Sequence, residues 1–95
     1  MGKPIRWSRQ SLEHLEDVYQ FIAQDSPYYA SLLVERIFEA VERLNDFPEM
    51  GRIVPESDDP DTRELIYKGY RIVYQIMDER LEVIAVFHGS KKYDG

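Results

Sequence analysis

Two runs with alternating side-chain character, residues 68–76 and 81–88, predict a β-hairpin near the end of the chain. Both runs are rich in β-branched and aromatic residues, and both alternate with the period of two that is typical of a half-buried sheet. If Asp78 and Glu79 form a two-residue loop, the register of the two strands is fixed. The predicted pairs are Met77–Arg80, Tyr74–Val83 and Arg71–Val86.

This register gives the hairpin one core face and one contact face. The core face is wholly apolar or aromatic and contains Tyr70, Ile72, Tyr74, Ile76, Leu81, Val83, Ala85 and Phe87. The contact face contains Arg71, Val73, Gln75, Glu82, Ile84 and Val86, and His88 continues it. His88 lies diagonal to Arg71 at roughly 7–8 Å between backbones, so we expect the two side chains to reach a shared ligand.

Two amphipathic helices precede the hairpin. Ser8 is a suitable N-cap for the first helix, which we predict from Arg9 to about Gln24. Ser26, with Pro27 at the first helical position, starts the second. Because only a minimal turn joins the helices, we expect an antiparallel helix hairpin. The apolar stripes contain Leu12, Leu15, Val18, Tyr19 and Ile22 in the first helix, and Ala30, Leu33, Ile37, Val41 and Leu44 in the second, which Phe47 closes.

The remaining segments complete a two-layer α+β domain. Residues 3–7 indicate a short strand, residues 47–61 a proline-rich loop, and residues 63–67 a strand that turns into the hairpin at Lys68-Gly69. Three successive strands with tight turns form an antiparallel meander, and the helix hairpin must cover its apolar face. We therefore predict one domain over residues 1–95, with the order β-α-α-β-β-β and a helix hairpin packed on an antiparallel sheet.

Composition narrows the class of protein. The formal net charge is −6, which argues against a general nucleic-acid binder. The acids concentrate in residues 10–64, which hold 14 acidic and 4 basic residues. The chain has no cysteine, so disulfides and thiolate chemistry are excluded. No apolar run approaches the roughly 18–20 residues that span a bilayer, and the N-terminus lacks the apolar core of a signal peptide; we expect a cytoplasmic protein without membrane contact.

No motif in the sequence forms a self-sufficient active site. His14 lies beside an apolar helical stripe, where a structural role is expected. The acid cluster Asp58, Asp59 and Asp61 matches no calcium loop, because it lacks the glycine and the closing glutamate of that motif. We interpret it as a solvated turn and predict neither a metal nor a cofactor.

Arg71 and His88 are the residues with the most chemical potential. A guanidinium on a face of valines and isoleucines costs desolvation unless it is paired. One interpretation is a salt bridge to Glu82 or Glu64. The other is an anion site for a phosphate or carboxylate, in which His88 acts as general acid or base. The flanking cations of that site would be Lys68, Lys91 and Lys92.

Two stretches of the hairpin carry a family resemblance: Gly69-Tyr70-Arg71-Ile72-Val73-Tyr74-Gln75 and Val86-Phe87-His88-Gly89-Ser90-Lys91-Lys92. With them, the chain resembles the ParE/RelE superfamily of toxins from type II toxin–antitoxin systems. The resemblance covers essentially the whole chain, including the loop at residues 47–52. It implies a small toxin that a co-expressed antitoxin neutralises. ParE-like members poison DNA gyrase and have no known catalytic residues, whereas RelE-like members cleave mRNA in the ribosomal A site.

The resemblance also implies roles for individual residues. Arg71 matches the strand arginine that RelE-like nucleases use on the scissile phosphate. His88, Lys91, Lys92 and Tyr93 fall where those enzymes place further catalytic or phosphate-contacting groups. The acidic body, the loop at residues 51–56 and the ending at residues 88–92 favour the ParE-like branch, which implies a gyrase inhibitor rather than an enzyme. The alternatives are a ribosome-dependent mRNA endoribonuclease and a non-toxic antitoxin-binding relative.

We also predict where the antitoxin binds. Apolar residues on the contact face and the helix hairpin offer a site for an amphipathic antitoxin segment, giving a toxin–antitoxin hetero-oligomer. The sheet residues expected at this site are Val73, Ile84 and Val86.

Overall fold

Both helices of the computed structural model, which describes residues 2–91, begin at the predicted caps. The Ser8 hydroxyl accepts a hydrogen bond from the Ser11 amide at 3.0 Å, and the Ser26 hydroxyl accepts one from the Tyr29 amide at 3.1 Å. Each cap satisfies one of the amide groups that the first turn of a helix leaves without a partner. Helix α1 spans Arg9–Ala23 and helix α2 spans Pro27–Glu42, followed by a 3₁₀ turn at Arg43–Asn45.

The helices pack on a five-stranded sheet, which confirms the α+β architecture. The strands are β1 (Ile5–Trp7), β2 (Arg52–Ile53), β3 (Thr62–Tyr67), β4 (Tyr70–Ile76) and β5 (Leu81–His88). Their order across the sheet is β1-β5-β4-β3-β2. The meander β3-β4-β5 is antiparallel as predicted, whereas β1 joins it parallel to β5, so the sheet is mixed. Strand β2 lies within the segment predicted as a loop and pairs antiparallel with β3.

The main core lies between the helices and the sheet. Leu15 and Val18 on α1, and Leu33, Ile37 and Val41 on α2, pack against Ile72, Tyr74, Leu81, Val83 and Val86. Helix α1 is rotated from the predicted stripe, since Ser11 is fully buried whereas Leu12 is 45% exposed. The Ser11 hydroxyl donates to the Ser8 carbonyl at 2.8 Å, which satisfies this polar group inside the interface.

The hairpin contains a β-bulge that the sequence did not reveal. Tyr74 pairs with Val83 as predicted, and the Met77 amide donates to the Arg80 carbonyl at 2.8 Å. Between Tyr74 and Val73 the register shifts by one residue, so Arg71 pairs with Phe87 instead of Val86. One additional residue in a strand moves the side chains beyond it to the other face of the sheet.

The bulge changes the composition of both faces beyond residue 84. Val86, predicted on the contact face, belongs to the main core, and Ala85, predicted in the core, packs with Val73 on the opposite face. His14 has the structural role expected for it, because its Nδ1 accepts a hydrogen bond from the Val86 amide at 3.2 Å. This contact ties α1 to the strand immediately after the bulge.

Candidate functional site

The face of the sheet opposite the helices is covered by the segment 51–56. Val54 is fully buried against Val73 and Ala85, and its amide donates to the Thr62 carbonyl at 3.0 Å. Val73 is consequently fully buried and Val86 is only 2% exposed. The expectation that both residues form an exposed apolar surface was wrong, while Ile84 is half-buried beside this second cluster.

Arg71 lies under the same segment and is held by two carboxylates. Its Nε donates to Glu64 at 2.6 Å, and its Nη1 and Nη2 donate to the two oxygens of Glu56 at 2.9 and 2.7 Å. The second oxygen of Glu64 accepts from Arg52 Nε at 2.6 Å. The side chains of Arg71 and Glu64 are 6% and 0% exposed. Of the two interpretations, the structure shows the salt bridge, and Glu64 rather than Glu82 is the strand partner.

The surroundings of Arg71 stabilise its charge. Hydrogen bonds and charge attraction from Glu56 and Glu64 outweigh the desolvation of the guanidinium and raise its pKa above the ordinary value. The guanidinium lies 5.1 Å from the centre of the Phe87 ring, a cation–π distance. Its Nη1 also donates to the Lys91 carbonyl at 3.0 Å, so the Lys91 backbone is brought to Arg71. Donors on both sides of the guanidinium are therefore already engaged.

His88 does not share a ligand site with Arg71. It pairs with Tyr70, and the two rings meet edge to face with centres 5.6 Å apart. Because Arg71 pairs with Phe87 and successive residues of a strand alternate between faces, Arg71 and His88 project from opposite faces of the sheet. His88 Nδ1 instead accepts from the Ser90 amide at 3.1 Å.

Of the other predicted cations within residues 2–91, Lys91 contacts Arg71 through its backbone carbonyl, and Lys68 lies at a turn. Lys68 is exposed at the β3–β4 turn, where it and Gly69 have φ angles of 50° and 85°. Positive angles at both central positions are typical of a tight hairpin turn. Lys92 and Tyr93 lie outside the described residues. Within residues 2–91, the candidate residues therefore do not form one cationic pocket with a general acid or base.

The acidic segment before β3 forms a hydrogen-bonded turn. Asp59 accepts from the Asp61 amide at 2.9 Å and from the Thr62 hydroxyl at 3.0 Å. Across residues 2–91, no cluster of three or more His, Cys, Asp or Glu side chains is placed to bind a metal ion. In the same part of the chain, no helix is long and apolar enough to cross a membrane.

A second feature, which the sequence pattern did not indicate, lies at the loop 47–51. The Tyr74 hydroxyl donates to the Pro48 carbonyl at 2.7 Å and accepts from the Gly51 amide at 3.0 Å. Arg63 Nη1 donates to the carbonyls of Glu49 and Gly51 at 3.3 and 3.0 Å. Burial raises the pKa of the Tyr74 phenol, which favours the neutral form that this donation needs. Two side chains of the sheet thus hold the loop backbone.

The same loop exposes large apolar side chains. Phe47, predicted to close the stripe of α2, is 64% exposed, and Met50 is 47% exposed. With Ile76 they border a groove of about 710 Å³, which is also lined by Lys3, Asp46, Pro48 and Glu49. The signal in the sequence was a pair of large apolar residues on either side of Pro48-Glu49, in a segment otherwise read as loop.

The sequence is similar to known proteins over nearly its whole length. A family model described as the ParE toxin of the type II toxin–antitoxin system parDE matches residues 5–93. The putative toxin Y4kP of Sinorhizobium fredii is 32% identical over 93 residues, covering 96% of this chain and 93% of that protein. Toxin RelE2 of Caulobacter vibrioides is 27% identical over 88 residues, covering 92% of this chain and 96% of that toxin.

Solved structures show the same fold at lower sequence identity. The chromosomal ParDE system of P. aeruginosa superposes with a TM-score of 0.75 at 19% identity, covering 90% of this chain and 95% of the other. The E. coli toxin RelE, solved in the free state as a double arginine-to-alanine mutant, superposes with a TM-score of 0.67 at 17% identity, covering 93% and 84%. With a family model that spans nearly the whole sequence, the chain belongs to the ParE toxin family of type II toxin–antitoxin systems.

Proposed function

We propose that this toxin acts as a ParE-like inhibitor of DNA gyrase and not as a nuclease. The observation that carries the proposal is the state of Arg71, which is nearly buried and bound by Glu56 and Glu64. A nuclease of the RelE type needs this guanidinium to be available for phosphate charge in the transition state. Here two carboxylates accept the hydrogen bonds that the guanidinium would have to donate to a phosphate. His88 points to the other face of the sheet.

A cognate antitoxin is the proposed second partner. The P. aeruginosa and M. tuberculosis structures with this fold are the ParDE system and the RelBE2 toxin–antitoxin complex. We propose that this chain likewise forms a hetero-oligomer with an antitoxin in the cytoplasm. Because Val73 and Val86 are buried, an antitoxin segment that binds without unfolding the sheet must use other residues for most of its apolar contacts.

The gyrase proposal is tested by supercoiling of relaxed plasmid with purified gyrase. We expect the added toxin to stop supercoiling and to trap cleaved DNA on the enzyme, and the antitoxin to reverse both effects. A chain denatured before addition is the control for non-specific inhibition. Unchanged supercoiling without trapped cleavage complexes would refute gyrase as the target.

The runner-up function is a RelE-like ribosome-dependent nuclease, supported by the 27% identity to toxin RelE2 over nearly the whole chain. It requires Glu56 to leave Arg71 on the ribosome. Primer extension on translated mRNA after induction distinguishes the two functions, because only the nuclease gives cuts in the A site. If induction of the chain arrests no growth, it is instead a non-toxic relative that only binds an antitoxin.

A further inference from the structure

Given the toxin function proposed above, we infer that the groove between the loop 47–51 and Ile76 docks the protein that the toxin inhibits. The segment of that protein which enters the groove is apolar and carries Lys or Arg on its flanks. The groove is called the docking groove below, and Phe47 and Met50 are its anchors.

The exposed area is the first reason. Large apolar side chains exposed close together on a small domain mark an interaction surface more often than isolated ones do. Phe47 and Met50 lie three residues apart in one loop and border the same depression, which Ile76 of β4 extends. Aromatic side chains at the centre of an interface commonly contribute most of its affinity.

The second reason is that the loop is rigidly held before any partner arrives. Its backbone is bound by Tyr74 and Arg63 through four hydrogen bonds at three residues, Pro48, Glu49 and Gly51. Just beyond it, Val54 is fixed in the second apolar cluster. A surface that is ordered in the free protein loses little conformational entropy on binding, so its contacts yield more affinity.

The close approach at Gly51 shows how tightly the loop is seated. A Cβ atom at this position would lie 2.6 Å from the Glu64 carbonyl and 2.6 Å from the Tyr74 hydroxyl. Only glycine permits this contact. Met50, one of the two exposed anchors, is therefore next to a closely packed residue of the loop.

The charges around the groove define the partner's chemistry. Asp46 and Glu49 line it with exposed carboxylates, whereas the ammonium of Lys3, which also lines it, donates to the carbonyls of Met77 and Asp78 at 2.7 Å each. The groove is thus lined by apolar side chains and by two exposed carboxylates, which are called its rim below. A complementary segment pairs an apolar side chain with flanking Lys or Arg, which favours encounter and register.

Two pairs of variants test this inference. The anchor variant F47S/M50S removes the apolar groups, and F21S is its control, because Phe21 is 68% exposed on α1 and does not line the groove. The rim variant D46K/E49K reverses the charges, and E13K/D17K, with exposed acids on α1, makes the same change in net charge elsewhere. Each is induced without antitoxin, and viable cells are counted.

Three measurements accompany the growth assay. Thermal unfolding reports whether each variant is folded, titration with the cognate antitoxin reports antitoxin binding, and gyrase supercoiling reports the proposed target. We expect cells that express F47S/M50S or D46K/E49K to give viable counts about tenfold or more above those with the wild type, since the loss of hot-spot contacts weakens binding by that order. Their folding and antitoxin affinity should stay near wild type, and both controls should arrest growth fully.

The outcomes separate the docking groove from the choice of target. Folded anchor and rim variants that still arrest growth like the wild type overturn the docking groove, whatever the target is. Folded variants that arrest growth like the wild type but lose antitoxin affinity assign the groove to the antitoxin and also overturn the inference. A wild-type chain that arrests growth without affecting supercoiling refutes gyrase alone, and the variants then still decide on the groove. A wild-type chain that arrests no growth refutes both.

Discussion

The two halves of the segment 47–56 differ in what they leave exposed to solvent. Its second half, residues 51–56, closes over the outer face of the sheet and neutralises Arg71 there. Its first half, residues 47–51, is fixed by the same strand, through Tyr74, yet leaves Phe47 and Met50 in solvent. Strand β4 thus supplies both the arginine that is covered and the tyrosine that holds the apolar anchors in place.

The comparison shows that a residue conspicuous by its charge in the sequence need not be exposed in the fold. The most conspicuous cation in the sequence is sequestered, and removing one partner from such a buried pair would leave an uncompensated charge. The exposed apolar residues have no such structural duty. Their exposure leaves apolar surface in contact with water, whereas the ion pairs of the buried Arg71 are explained by folding.

The largest expected effect comes from breaking the closed region at Glu64. Glu64→Leu leaves Arg71 and Arg52 without their shared carboxylate, and we expect a loss of about 3–5 kcal/mol in the free energy of unfolding. Denaturant unfolding measures it, with Glu79→Leu at the exposed β4–β5 turn as the control. The double variant R71M/E64L should recover much of the loss, because an apolar pair replaces the buried ions. A loss below about 1 kcal/mol for Glu64→Leu would show that the cluster contributes little to folding.

Gly51→Ala acts at the junction of the two regions. The added methyl group meets backbone and a buried ring within 2.8 Å, so either the loop or β3 must move. We expect a loss of about 1–3 kcal/mol, the usual cost of overpacking. Displacement of the loop should also disturb the anchors, so growth arrest should fall more than it does for a Glu64→Leu variant at equal residual stability. If the two variants arrest growth equally at equal residual stability, the position of the loop does not affect activity.

Tyr74→Phe tests the lock on the exposed region alone. It leaves the Pro48 carbonyl and the Gly51 amide without their partner, which should cost about 1–2 kcal/mol. The pH dependence of the free energy of unfolding should change as well. Burial raises the phenol pKa in the folded state, so the stability linked to the neutral phenol is complete below the ordinary value near 10 and is lost as pH rises above it. The free energy of unfolding, measured from about pH 8 to 11, should therefore decline less steeply with pH for Tyr74→Phe than for the wild type. Parallel curves would refute a link between this phenol and stability.

Local signals in the sequence were sufficient for most of the secondary structure. The caps Ser8 and Ser26 and the two-residue loop at Asp78-Glu79 depend on neighbours within a few positions, and all three were predicted correctly. The parallel pairing of β1 with β5 depends on how the chain returns after the helices, which no local pattern encodes.

The errors at the site have a different cause. Ala85, Val86 and Phe87 are all apolar, so either register satisfies the alternation and the bulge leaves no trace in the pattern. Covering of the outer face depends on Val54, one apolar residue in a proline-rich segment, and on a strand of two residues. The lock of Tyr74 on the loop joins groups that are 23 and 26 residues apart. The residues of the outer face could thus be named from the sequence, whereas their exposure is set by tertiary contacts.

The smallest expected effect concerns the cover on Arg71. The Glu56 side chain is 25% exposed, so Glu56→Gln removes a charge that water partly screens, and Glu64 continues to compensate the guanidinium. We expect a loss of about 1 kcal/mol or less in the free energy of unfolding, shrinking further in high salt. Denaturant unfolding at low and high ionic strength measures this, with Asp58→Asn in the same acidic segment as the control. If Glu56→Gln instead costs as much as Glu64→Leu, the segment 51–56 is an integral part of the core. The segment that covers Arg71 and the loop that exposes Phe47 and Met50 would then belong to one cooperatively folded unit.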